Sequence, residues 1–113
     1  MPHHDDTVRL RHMLDYAREA VTLSHGRTRA DLDSDRLFNL AMTRLVEVIG
    51  ESASRLSEAT RQGNPQIPWS EVIAVRNRLI HGYDQINLDI LWDIIELDMR
   101  PLIDQLEQIV GLS

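Results

Sequence analysis

The sequence predicts an all-α fold, an up-and-down bundle of four or five helices forming a single domain over residues 1–113. Three observations lead there. Apolar residues recur at steps of three and four along most of the chain, the spacing that lines one face of a helix. No stretch of useful length alternates apolar and polar residues as a half-buried strand does. Breaker-rich segments such as "RQGNPQIP" separate the periodic ones, and no repeat or low-complexity tract intervenes.

The first helix is expected to begin near Asp5, Asp6 or Thr7, all acceptable N-caps. Leu10, Leu14, Ala17 and Val21 give its apolar stripe, and His25 and Gly26 mark its end. The second should start after Asp33 or Ser34 and run to about Ala59, with Phe38, Met42, Leu45, Ile49, Ala53 and Leu56 on one face. Gly50 lies inside it, where glycine costs about 1 kcal/mol relative to alanine, so close approach by another helix is expected there. The third is expected from Trp69 or Ser70, after Pro68, to near Gly82. The last begins near Asn87 or Leu88 and continues through "LDILWDIIELDMRPLIDQLEQIVG". Pro101 falls within it, removing a backbone bond and crowding the preceding turn, which predicts a kink or two abutting helices.

Composition narrows the classes of function. The 113 residues are 42% apolar and 27% charged, an ordinary globular balance. There is no cysteine, which excludes disulfides, thiolate catalysis and cysteine-bound metals and fits a cytoplasmic protein. No apolar run approaches the ~20 residues that span a bilayer. The N-terminal "MPHHDDTVRL" lacks the apolar core of a signal peptide. The net charge of −6 argues against nucleic-acid binding by the whole surface. All twelve basic residues are arginine, and any anion site must be a local patch of them.

One such patch is "VRNRLIHGYD", residues 75–84. Arg76 and His81 are five apart, about 140° around a straight helix with a rise of ~7.5 Å, so they do not share a narrow face. Asn77 and His81, four apart, do. Arg76 and Tyr83 would align only if the helix passed Gly82. These residue types suit cleavage of an RNA phosphodiester. Histidine moves protons near neutral pH, and arginine offers a fork of donors to phosphate and to charge developing on it. Asparagine can orient either, and tyrosine can stack on a base. One histidine per chain does not easily serve as both acid and base; a two-fold dimer would bring two together. The spacing alone is equally open to a structural reading. Arg78 and His81 would complement a helix dipole, Gly82 would be a C-terminal cap, and Tyr83 a packing residue.

Other candidates point more weakly to chemistry. His3 and His4 at the terminus read as solvated, and Trp69 and Trp92 as core or interface anchors. Asp84, Asp89, Asp93 and Asp98 read as a solvated face without a second ligand set, so no metal site and no cofactor is expected. Glu47 and Glu51, four apart, are each able to pair with an arginine of another helix; one of them could hold Arg76, although a plain surface salt bridge is the default.

The segment "RNRLIHGY" matches the R-x4-H-x-Y signature of HEPN domains, named for higher-eukaryote and prokaryote nucleotide binding. Around it, "LFNLAMTRLVEVIGESASRLS", "NPQIPWSEVIAVRNRLIHGYD" and "LWDIIELDMRPLIDQL" resemble the second helix, the P-x-I-P-W loop with its motif helix, and the proline-bearing last helix of the HepT-like branch. The resemblance covers about Asp5 to Leu106. It implies a metal-independent ribonuclease toxin of a type VII-like HEPN/MNT toxin–antitoxin pair, acting as a homodimer on RNA rather than DNA, with no membrane partner. It implies Arg76 and His81 as the catalytic pair, supported by Asn77 and Arg78. It implies silencing by an MntA-type minimal nucleotidyltransferase that transfers AMP to Tyr83, placing bulk and negative charge beside the arginines. The alternative is a non-catalytic dimeric subunit that binds nucleotide or RNA, or presents substrate to a nucleotidyltransferase. One departure from the branch is Asp84, where an aromatic or apolar residue is common; this puts the strength of RNA binding in doubt, not the motif.

Overall fold

The computed structural model describes residues 4–80, 82 and 85–111. Helix α1, His4–Ser24, buries Leu10, Met13, Leu14, Ala17 and Ala20, while Val21 is only partly covered. A single turn, α2 (Asp31–Ser34), leads into the central helix α3, Arg36–Ser54. Asp35 caps α3: its side chain accepts a hydrogen bond from the Phe38 amide at 3.1 Å. The same carboxylate accepts a bond from Arg27, whose guanidinium lies 4.1 Å above the Phe38 ring.

The second helix is shorter than its apolar stripe predicts. It ends at Ser54, and Ser57 starts a new helix, α4 (Glu58–Gln62). The reason is a competing set of bonds. The Ser57 hydroxyl accepts from the Thr60 amide, and both the Ser57 and Thr60 hydroxyls donate to the carboxylate of Asp6 in α1 at 2.6 Å. Asp6 is 3% exposed, so this network satisfies a carboxylate inside the protein and ties α1 to the turn that closes α3. The Ser57 and Thr60 hydroxyls, in that order, hold its carboxyl below the usual aspartate range against the opposing effect of burial.

The expected third helix is also interrupted. It divides at Ala74 into α5 (Trp69–Ile73) and α6 (Val75–Leu79), and stops before Gly82. Val72, Ile73 and Val75 are β-branched and favour a helix only weakly, so the ladder yields where the chain crosses α3. Ile80 is extended and pairs in an isolated bridge with Ile86, and the Asn87 amide donates to the Leu79 carbonyl. Gly82 therefore belongs to a turn, with φ +58°, rather than to the end of a continuous helix.

Asn87 caps α7 (Leu88–Asp93), which passes through a π-helical turn over Ile94–Asp98 into α8 (Met99–Val110). The disturbance expected at Pro101 thus sits in the turn ahead of it. Proline cannot donate to the carbonyl four residues back, and a widened turn relieves the crowding its ring would cause there. Helix α1 packs on α3 and α8, while α5 and α6 lie across α3. Trp69 is buried and its indole donates to the Asn64 carbonyl at 2.9 Å; Trp92 is partly buried against the core. Among the described residues no helix is long and apolar enough to cross a membrane.

Candidate active site

The site is built on five residues of α6. Val75 and Leu79, four apart, are buried and fix the helix by its inner face. Arg76, Asn77 and Arg78 are left facing outward, and all three are exposed. The end of α5 and the start of α6 lie so near α3 that a Cβ on Gly50 would stand 2.8 Å from Val75 Cγ1 and 2.9 Å from the Val72 carbonyl oxygen. Close approach is therefore the reason for glycine at this position.

That approach brings Arg76 beside α3. Its Nε stands 3.9 Å from Glu47 Oε2. The arginine is 69% exposed and the glutamate 20%, so a largely covered carboxylate faces a largely open guanidinium. Glu51, the other residue expected as a possible partner, pairs instead with Arg44 on its own helix at 3.4 Å. Glu47, Gly50, Glu51, Ser54, Ile73, Val75 and Arg76 enclose a shallow hollow of about 170 Å³.

Arg78 points the other way. It is two residues from Arg76, about 200° around the helix, and lies 3.7 Å from Asp98 in the π turn. Burial raises the Asp98 carboxyl above its usual range; Arg78 opposes that shift and Glu71 reinforces it. Arg78 and Asp98 stand beside a larger, mainly apolar hollow of about 250 Å³, lined by Val72, Val75, Ile94 and Leu102 among others. Leu97 borders it while 66% exposed. Sequence reading missed this hollow; the available signal was an apolar Leu97 flanked by Glu96 and Asp98.

The structure thus places Arg76 and Arg78 on one short helix but on opposite sides of it. Asn77 lies between them, exposed. His81, Tyr83 and Asp84, together with His3, lie outside the described residues. Of the acidic residues near the last helix, Asp89 pairs with Arg29 at 2.8 Å, and Asp98 with Arg78. Among the described residues no group of three histidines or carboxylates is arranged to hold a metal ion. In chemical terms, an exposed guanidinium with a carboxylate at its Nε edge can offer its remaining donors to a phosphate.

A family model described as "Ribonuclease HepT-like" matches residues 13–109. The chain belongs to the HepT-like ribonuclease family. It is 31% identical over 110 residues to "Putative RNase MJ0127" of Methanocaldococcus jannaschii, covering 97% of this chain and 91% of the relative. It is 30% identical over 95 residues to "Probable ribonuclease HepT" of Thermococcus cleftensis, covering 80% and 86%. It is 29% identical over 101 residues to "Putative RNase TTE0752" of Caldanaerobacter subterraneus, covering 89% and 90%. No solved structure matches the chain. The match to the HepT-like family spans α6 and the packing that exposes Arg76.

Proposed function

We propose that this protein is a ribonuclease that cleaves RNA without a metal ion, at a cleft shared by two subunits. The observation that carries the reading is Arg76: a HepT-like chain keeps the R-x4-H-x-Y residues and holds the arginine open to solvent at the surface of α6. In the reaction, the 2′-hydroxyl of RNA loses its proton to His81 of one subunit and attacks the adjacent phosphorus. The 5′-oxygen leaves with a proton from the second subunit's histidine, giving a 2′,3′-cyclic phosphate and a 5′-hydroxyl end. Arg76 binds the phosphate and stabilises the charge that accumulates on it, and Asn77 orients the reacting groups, whereas Arg78 faces Asp98 on the other side of α6. Two-fold pairing supplies both histidines and concentrates arginine on a protein of net charge −6.

The subunit contact involves α5, α6 and part of the helical run from α7 through the π turn into α8. Exposed Leu97 beside an apolar hollow supports that placement. The chain acts in the cytoplasm as the toxin of a type VII-like pair, and an MntA-type nucleotidyltransferase neutralises it by transferring AMP to Tyr83. The added phosphate would repel an RNA phosphate from the arginines' site while its adenosine blocks access.

A growth assay tests this reading. Expression of the chain without its partner should arrest growth, and His81→Ala should relieve the arrest while the protein still folds. Undiminished toxicity in that variant removes His81 from the chemistry. A second reading, a non-catalytic subunit that binds RNA or nucleotide or presents substrate to a nucleotidyltransferase, draws support from Asp84 beside the motif and the net charge of −6. Purified dimer that binds RNA and leaves it intact would favour that alternative.

A further inference from the structure

We infer that Glu47 is the positioning residue for Arg76, holding the guanidinium by its Nε edge so that its outer nitrogens face the RNA phosphate. The inference rests on the ribonuclease reading of Arg76 and adds a residue that the R-x4-H-x-Y motif does not contain. An arginine that is 69% exposed has many rotamers, and most of them do not face a shared cleft. Glu47 differs from an ordinary surface partner in its setting. It is 20% exposed and sits on the long helix α3, one turn before Gly50. The clearance at Gly50 sets how closely α6 approaches, and hence brings the guanidinium to 3.9 Å from the carboxylate. Among the described residues the alternative anchor is spent elsewhere, since Glu51 faces Arg44.

The geometry also selects which donors remain. Guanidinium has two edges suited to paired donation, one formed by Nε and an adjacent nitrogen and one by the two terminal nitrogens. The carboxylate of Glu47 stands closest to Nε. The terminal pair is thereby left for a phosphate, and the carboxylate's attraction biases the guanidinium toward that orientation before substrate arrives. Arg78 leaves α6 on the other side, toward Asp98.

The test compares full-length Glu47→Gln and Glu47→Ala with the parent on a mixed-sequence oligoribonucleotide carrying a fluorophore and quencher. Both variants should fold, with melting temperatures within a few degrees of the parent. Glu47→Ala should lower kcat between about tenfold and a hundredfold while KM changes little, and Glu47→Gln should retain part of the loss. In an Arg76→Lys background, which has no Nε–H to hold, removing Glu47 should cost nothing further. The Arg76 Nε–H resonance gives a readout independent of activity: its chemical shift should move in Glu47→Ala, and an unmoved resonance would mean that the carboxylate does not act on the guanidinium.

Full activity in Glu47→Ala alongside an inactive Arg76→Ala overturns the positioning role and leaves the ribonuclease reading intact. Equal losses from Glu47→Ala in the parent and Arg76→Lys backgrounds also overturn it. Parental activity in Arg76→Ala would defeat the ribonuclease site itself, and the resonance would then decide whether Glu47 still holds the arginine.

Discussion

Gly50→Ala probes the contact on which the site is built. An added Cβ would lie 2.8 Å from Val75 Cγ1, whereas carbon atoms pack best at about 3.5–4.0 Å, so the two must separate by roughly 0.7 Å. Neither neighbour yields freely. Val75 is 5% exposed in the core, and the second close atom, at 2.9 Å, is the Val72 backbone carbonyl. Overpacking of this kind costs about 2 kcal/mol. Replacing a helical glycine by alanine returns about 1 kcal/mol. The net loss is about 1 kcal/mol, which lowers the melting temperature by roughly 4 °C in a domain of this size. Thermal unfolding followed by far-ultraviolet circular dichroism measures it. Val75→Ala should be less harmful in the Gly50→Ala background than alone, because it removes the clashing methyl groups. A Gly50→Ala protein that melts at or above the parent temperature would refute the reasoning: helix propensity alone would then govern position 50.

Three further outcomes test the core, the proposed subunit contact and the proposed modification. Asp6→Asn should cost about 2 kcal/mol at pH 7 in urea unfolding, because a buried carboxylate accepting from Ser57 and Thr60 is replaced by a neutral amide. The carboxyl of Asp6 titrates below the usual range, so its stabilisation is complete above that range and fades as pH falls through the lowered value; the gap between parent and variant should narrow below about pH 4. Leu97→Asp should weaken the proposed subunit contact and shift the protein toward monomer in sedimentation, while its fold is retained because the side chain is already exposed. Co-expression with a minimal nucleotidyltransferase should add mass in steps of AMP, read by intact mass spectrometry; Tyr83→Phe should abolish every step, and persistence of the additions would place the modification elsewhere.

Much of this architecture is legible in the residues because burial imposes a helical period. The stripes Leu10–Leu14–Ala17 and Phe38–Met42–Leu45–Ile49 read directly as the inner faces of α1 and α3. Gly50 is legible too, since a glycine inside a good helix calls for a neighbour. The breaks are harder to read. Leu56 continues the α3 stripe and is buried, yet the chain has already left the helix. The decisive bonds come from Asp6, some fifty residues earlier. The interruption at Ala74 and the extended Ile80 depend on packing against α3 and on pairing with Ile86, which local propensity does not encode. The effect of Pro101 is evident, but its form as a π turn over Ile94–Asp98 is not. At the site, Arg76 stands out by its motif, whereas the choice between Glu47 and Glu51 needs the crossing of α3 and α6. Arg78, grouped with Arg76 by proximity in sequence, faces Asp98 on the far side of the helix.

An open Arg76 acting on the RNA phosphate is the central requirement of the proposed ribonuclease. The most direct measurement is cleavage of a mixed-sequence oligoribonucleotide by the purified chain in EDTA, with Arg76→Ala alongside. Because Arg76 is 69% exposed, the substitution should leave stability within about 0.5 kcal/mol of the parent. Cleavage should proceed in the chelator and end in cyclic phosphates, and Arg76→Ala should lower its rate at least about a hundredfold. Equal cleavage by the two proteins, or none without added metal, would contradict the account.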